Sequence, residues 1–163
     1  MIAVLHNIRS VHNVGSIFRT ADSAGIKKIY LCGYTPAPVD RFGRPNQALA
    51  KVALNAEKYV AWQKVSSTVR LLDQLKKTSK KIKIFAVEQA KGSVPYYDTK
   101  SVDISRGETV LVMGNEIKGL SRAILKRANQ ILEIPMYGKK ESLNVGVAFG
   151  IIAFHFARIN KRQ

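Results

Sequence analysis

Residues 2–32, IAVLHNIRSVHNVGSIFRTADSAGIKKIYLC, read as a strand, a helix and a second strand. The run IAVLH is short and apolar, as a buried strand is. Residues 14–24 then place Ile17, Ala21 and Ala24 on one stripe at helical spacing. Gly25 follows where a left-handed glycine ends a helix. KIYLCG, residues 28–33, is apolar again. A strand–helix–strand unit of this kind joins parallel strands. One residue fits poorly: Arg19 falls on what reads as the core-facing side of the helix, where a cation is costly unless it has a task.

The same alternation continues outward. YTPAPVDRFGRPNQ (34–47) is a long loop of Pro, Gly and polar residues, and loops of that length in a small domain are often functional. VSSTVRLLDQLKKTSK (65–80) is an amphipathic helix, with Val69, Leu72 and Leu75 on its apolar side and a Lys-rich end. KIKIFAVE (81–88) and ETVLVMG (108–114) are strands, LSRAILKRA (120–128) is a helix, and QILEIPM (130–136) is a strand stopped by Pro135. A last helix runs from about Ser142, its expected N-cap, to about Asn160. The expected fold is α/β, a mostly parallel sheet flanked by helices. No repeat, low-complexity tract or linker divides residues 1–163, so a single domain is expected.

The chain carries 27 Lys plus Arg against 11 Asp plus Glu, a formal net charge of +16. Such an imbalance points to a polyanion, nucleic acid before an anionic membrane surface. Lys76, Lys77, Lys80, Lys81 and Lys83 form one basic run, which reads either as a phosphate contact or as a solvated helix end. The longest apolar stretch, VGVAFGIIAFHFA (145–157), falls short of the roughly 20 residues of a membrane span. The single Cys32 permits no internal disulfide and suits a reducing cytoplasm. His6, His12 and His155 have no metal-ligand spacing with it, so no metal is expected.

The loops at 7–15, 114–121 and 135–144 follow strand ends, where open α/β sheets bind ligands. No G-x-G-x-x-G follows the first strand and no G-x-x-x-x-G-K-[ST] is present, which argues against a dinucleotide site and a P-loop. Instead Gly114 and Glu116 follow one apolar strand. Ser142 opens a helix whose free N–H groups suit an anion or a plain cap. Gly146 and Gly150 form G-x-x-x-G, a close helix contact that is compatible with a dimer interface.

Taken together, Asn13-x-Gly15-x-x-x-Arg19-x-Ala21, then MGNEIKGLS, then IPM-x-G-x-x-x-SLNV-x-VA occur in order at strand ends. This combination resembles the SpoU (TrmH) class of the SPOUT superfamily, the RNA ribose 2′-O-methyltransferases, over essentially the whole chain. The resemblance implies a C-terminal deep trefoil knot, a homodimer, and S-adenosylmethionine bound in the knot. It implies a cofactor pocket of Val87, Glu88, Gly114, Ile134, Met136, Ser142 and Leu143. It makes Arg19 the catalytic arginine, either deprotonated with help from an RNA phosphate or charged and clamping that phosphate. Asn13, Glu116, Ser142 and Asn144 complete the implied catalytic set. The implied substrate is tRNA, with rRNA or a non-catalytic RNA-binding role as alternatives. Relatives often carry a second serine where this chain has Gly146. The chain starts at the first motif strand, so no separate RNA-binding domain is expected.

Overall fold

The computed structural model describes residues 1–99 and 108–161. Its elements are β1 (Ile2–His6), α1 (Val11–Ser23), β2 (Lys28–Cys32), α2 (Gln47–Ala53), α3 (Ala56–Tyr59) and β3 (Ala61–Val65). There follow α4 (Thr68–Thr78), β4 (Lys83–Val87), β5 (Val94–Pro95) and a 3-10 turn at Tyr96–Asp98. The last four are β6 (Thr109–Met113), α5 (Arg122–Leu125), β7 (Gln130–Glu133) and α6 (Val145–Lys161). Among the described residues seven strands make one sheet in the order β3-β2-β1-β6-β4-β7-β5. Every neighbouring pair is parallel. The register aligns the strand ends: His6 lies opposite Cys32, and Leu5 and Val87 both lie opposite Met113. All loops that follow strands therefore emerge at one edge.

Both faces of the sheet are covered, as a parallel sheet requires. Ala3 and Leu5 of β1 point into a core built with α1, α2, α3 and α6, where Phe18, Phe149 and Phe156 are fully buried. Ile2 and Val4 point the other way, against Leu71, Leu72 and Leu75 of α4 and Ile124 of α5. The bidentate Arg127–Asp73 pair, at 2.8 and 3.0 Å, ties the end of α5 to α4.

Several expectations shift. Helix α1 starts at Val11, capped by Ser10, whose hydroxyl accepts the Asn13 N–H at 3.2 Å. Asn13 is thus helical and not part of a loop over 7–15. The buried stripe of α1 is Val14, Ile17, Phe18 and Ala21. At 3.6 residues per turn Arg19 lies about 200° from Ile17, and it is exposed, not core-facing. Gly15 is buried because a Cβ there would stand 2.8 Å from Leu49 O and from Val52 Cβ, so α1 and α2 touch through it. The end of α1 is as expected, with Gly25 at φ +71°. α4 begins at Thr68 under a Ser67 cap, and Val65 belongs to β3. Strand β3 itself escaped the periodicity reading because AWQKV is a half-exposed edge with no apolar run.

Candidate functional site

Three loops at the carboxyl edge of the sheet enclose a cavity of about 330 Å³, within the ~300–1,000 Å³ typical of small-molecule sites. They follow β4, β6 and β7. All seven residues expected to hold a cofactor, Val87, Glu88, Gly114, Ile134, Met136, Ser142 and Leu143, line this one cavity. Met113, Val145 and Ala148 add apolar wall. Glu88, Glu116, Glu133 and Glu141 add carboxylates, four of the chain's 11 acidic residues. In a chain of charge +16 this is a local reversal of sign, and it favours a cationic or polar guest over a phosphate.

The carboxylates also hold the loops. Glu88 accepts Leu120 N at 2.7 Å and Gln89 N at 3.1 Å. Gly119, at φ +60°, leaves room for it, since a Cβ there would fall 2.2 Å from Glu88 Oε2. Glu116 accepts Arg9 N at 2.9 Å, Ser10 N at 3.1 Å and Asn13 Nδ2 at 3.0 Å. Partial burial pulls the Glu116 carboxyl upward, but these N–H donors outweigh it and hold the group below the ordinary carboxylate value. Asn13 Oδ1 in turn accepts Asn144 Nδ2 at 3.0 Å. One chain of hydrogen bonds thus joins the β6 loop, the first turn of α1 and the start of α6.

That start differs from expectation. Asn144, not Ser142, caps α6: its Oδ1 accepts Gly146 N at 2.9 Å and Val147 N at 3.4 Å. Ser142 lies upstream in the loop and lines both the cavity and a more open basin beside it, with Arg9, Ser10, Asn13 and Glu116. Of the five expected catalytic residues, Asn13, Glu116, Ser142 and Asn144 come together at this basin. Arg19 does not. It sits six residues, about 9 Å of helix rise, beyond Asn13. Its guanidinium makes no hydrogen bond or ion pair among the described residues. Gly146 and Gly150 serve the contact between α6 and α1 inside the chain, facing Ser16 and Thr20.

Sequence reasoning passed over Asn115. It is buried; its Nδ2 donates to Asn7 O at 2.7 Å and Tyr34 Oη at 2.9 Å, and its Oδ1 accepts Ile117 N and Lys118 N. An Asn after the first Gly of G-N-E-x-x-G is a turn former, and that was the available signal. Asn7, at φ +55°, accepts Tyr34 N and reaches His6 Nε2 at 3.3 Å. Burial lowers the His6 pKa, and its Nδ1 is hydrogen-bonded with Thr68 Oγ1 at 2.8 Å. The run Lys76–Lys83 lies at the opposite end of the sheet, where α4 ends and β4 starts. Lys139 and Lys140 lie on the cavity side, in the loop before α6.

The sequence model of the SpoU rRNA Methylase family matches residues 1–154. The chain belongs to the SpoU family. It is 34% identical over 158 residues to the tRNA (guanosine(18)-2′-O)-methyltransferase of Aquifex aeolicus, covering 97% of this chain and 69% of that one. Among solved structures it resembles an AdoMet-bound rRNA methyltransferase from Sinorhizobium meliloti, with TM-score 0.84 and 27% identity, over 96% of this chain and 55% of that one. A structure concerned with the 2-OH methylation of C/U34 on tRNA matches with TM-score 0.80 and 26% identity, over 99% of this chain and 97% of that one. Like these SpoU-type folds, the chain is a parallel sheet between helices. Among the described residues no cluster of His, Cys, Asp or Glu suits a metal, and no helix is long and apolar enough to cross a membrane.

Proposed function

We propose that this SpoU-family chain transfers the methyl group of S-adenosylmethionine to a ribose 2′-hydroxyl of RNA. The observation that carries the reading is the acidic, apolar-walled cavity opening beside the Asn13–Glu116–Asn144 network in an otherwise basic chain. The residues fit the cofactor. Val87, Ile134, Met136 and Leu143 offer apolar surface to a flat adenine, and the four carboxylates favour a cationic sulfonium. When bound, that sulfonium supplies the electrophilic methyl group. The chain's task is then positioning, with the ribose oxygen held in line with the sulfur–methyl bond. Asn13, anchored by Glu116 and Asn144, orients the ribose or the loop around it. Arg19 serves the 2′-hydroxyl either as a base, deprotonated with a phosphate's help, or as a charged clamp on that phosphate that stabilises developing alkoxide.

We infer a homodimer as well. Val147 and Phe154 of α6, seven residues apart on one helical stripe, are 53% and 51% exposed, and Leu143 in the loop before the helix is exposed as well. Arg19 adjoins Thr20, which contacts Gly150 of α6, so the arginine stands next to that apolar face. A second copy seated there would bring a basin within reach of Arg19. The substrate we favour is tRNA, because the tRNA (guanosine(18)-2′-O)-methyltransferase is 34% identical to this chain and the rRNA methyltransferase from Sinorhizobium meliloti 27%. The reading treats residues 1–163 as one methyltransferase domain with the family's C-terminal knot, acting in the cytoplasm.

The test is transfer of labelled methyl from S-adenosylmethionine to unfractionated tRNA and, separately, to rRNA, each from cells lacking this protein. Label recovered as a 2′-O-methyl nucleoside from tRNA is the expected result. Label from rRNA alone would replace the substrate. No label together with no S-adenosylhomocysteine binding would leave the non-catalytic RNA-binding reading.

A further inference from the structure

The loop between β2 and α2 carries a small hairpin that the methyl-transfer site does not use. Val39 and Pro45 form an antiparallel bridge, and Asp40 N donates to Arg44 O at 2.9 Å. The Asp40 carboxylate accepts Phe42 N at 2.8 Å and Arg44 N at 3.0 Å, and it also pairs with Arg44 Nε at 2.7 Å. Gly43 turns the tip at φ +78°. The residue presented by this bracing is Phe42, 65% exposed. Arg41 and Arg44 lie over its ring, 4.7 and 5.1 Å from the centroid. Arg41 makes no ion pair among the described residues.

A braced turn that keeps a phenylalanine in water beside two guanidiniums has surface for a planar π-system with an anion beside it. That is the chemistry of an unpaired nucleotide: the base stacks on the ring or on the guanidinium plane above it, and the phosphate meets arginine. The hairpin also stands where substrate would pass. It follows β2 at the same sheet edge as the cavity, two strand spacings or about 10 Å from β6. Its root residue Tyr34 is bonded through Oη to Asn115 in the cavity loop. We propose that Phe42, with Arg41 and Arg44, is a stacking site for an unpaired nucleotide of the RNA substrate. This rests on the methyltransferase reading above and adds the place where RNA is gripped.

The experiment compares wild type, Phe42→Ala, Phe42→Trp and Arg41→Gln for binding of unfractionated tRNA across a salt series. S-adenosylhomocysteine binding and sedimentation are measured on the same samples. Phe42→Ala should weaken tRNA binding about tenfold and raise KM for RNA with kcat little changed. Its salt dependence should match wild type, because no charge is lost. Phe42→Trp should bind within about twofold of wild type. Arg41→Gln should reduce the salt slope by about one. Cofactor-product binding should be equal in all four. If wild type binds tRNA and Phe42→Ala binds it equally, the stacking site is overturned. It is also overturned if Phe42→Ala changes the oligomeric state, which would make the hairpin a contact between copies. Wild type that binds S-adenosylhomocysteine but no tRNA removes the stacking site alone, and wild type that binds neither removes the function reading with it.

Discussion

Replacing Glu116 by Gln should loosen the site without disturbing the core. The carboxylate accepts Arg9 N through Oε2 at 2.9 Å, and it accepts Ser10 N and Asn13 Nδ2 through Oε1 at 3.1 and 3.0 Å. A glutamine keeps one acceptor oxygen. Its amide must face either Arg9 N–H or the Ser10 and Asn13 donors, so a donor meets a donor in both rotamers. Hydrogen bonds to a charged group contribute about 1.5–3 kcal/mol when buried. Glu116 is exposed, so a loss of about 1–2 kcal/mol is the reasonable figure. For a domain of this size that is a fall in Tm of about 3–6 °C. Methyl transfer should drop about tenfold as Asn13 loses its anchor. The pH dependence follows from the lowered Glu116 pKa. The unfolded carboxyl takes up its proton at higher pH than the folded one, so the stabilisation is complete above the unfolded value. It is lost as pH falls from the ordinary carboxylate value of 4.5 through the lower folded value. The difference in Tm between wild type and variant should therefore be largest near neutrality and shrink below about pH 4.5. Thermal melts at several pH values and a transfer assay test this. A Gln variant that melts and turns over like wild type at pH 7 would sink the anchoring role.

Other substitutions separate the remaining roles. Arg19→Ala, which removes an exposed guanidinium with no hydrogen bond or ion pair among the described residues, should leave S-adenosylhomocysteine-induced stabilisation intact and lower kcat at least about a hundredfold; unaltered turnover would remove Arg19 from the reaction. Asn144→Ala should cost about 1 kcal/mol through the lost cap, whereas Asn144→Asp should keep the cap and the melting temperature but lose the donor to Asn13, and with it transfer. Gly15→Ala should destabilise by about 1–3 kcal/mol in urea unfolding, because its Cβ would meet Leu49 O and Val52 Cβ at 2.8 Å. Phe154→Asp should convert a dimer to a monomer in sedimentation, with little change in monomer folding, since the side chain is half exposed.

The alternation of β1, α1 and β2 was legible because each element buries one apolar pattern, and Gly25 marks the helix end. The cavity residues were legible only through the family resemblance: Val87, Ile134 and Met136 differ in nothing local from other apolar residues at strand ends. Periodicity failed where burial is partial. β3 exposes most of AWQKV and was missed, whereas the helix expected at LSRAILKRA is present behind Ser121 but only as the single turn α5. The exposure of Arg19 was legible too. The stripe of Ile17, Ala21 and Ala24 itself excludes position 19, which stands about 160° from both Ile17 and Ala21 at ~100° per residue, and Phe18, among the largest fully buried side chains, widens the core side away from it. Asn144 takes the cap because the helix starts only at Val145, which leaves Ser142 and Leu143 in the loop that lines the basin, and Asn caps as well as Ser does.

On the proposed reading one small surface serves both a sulfonium and a polyanion, and the use of its acidic side chains accounts for that. Near the cavity, carboxylates are spent on neutral donors: Glu88 on Leu120 N and Gln89 N, Glu116 on Arg9 N and Ser10 N, Glu133 on the Ser93 hydroxyl. The two ion pairs among the described residues, Arg44–Asp40 and Arg127–Asp73, lie elsewhere. Loops braced by N–H donors keep their shape without consuming cations. Arg9, Lys139 and Lys140 on the cavity side, and Arg19 and Arg41 farther out on α1 and the β2–α2 loop, make no ion pair among the described residues, which leaves them available to phosphates on the proposed reading. Had the loops been braced by ion pairs instead, each phosphate contact would have to break one, and RNA binding would unfasten the cofactor site. The arrangement separates the two tasks, so raised salt should weaken RNA binding steeply while leaving S-adenosylhomocysteine affinity nearly constant.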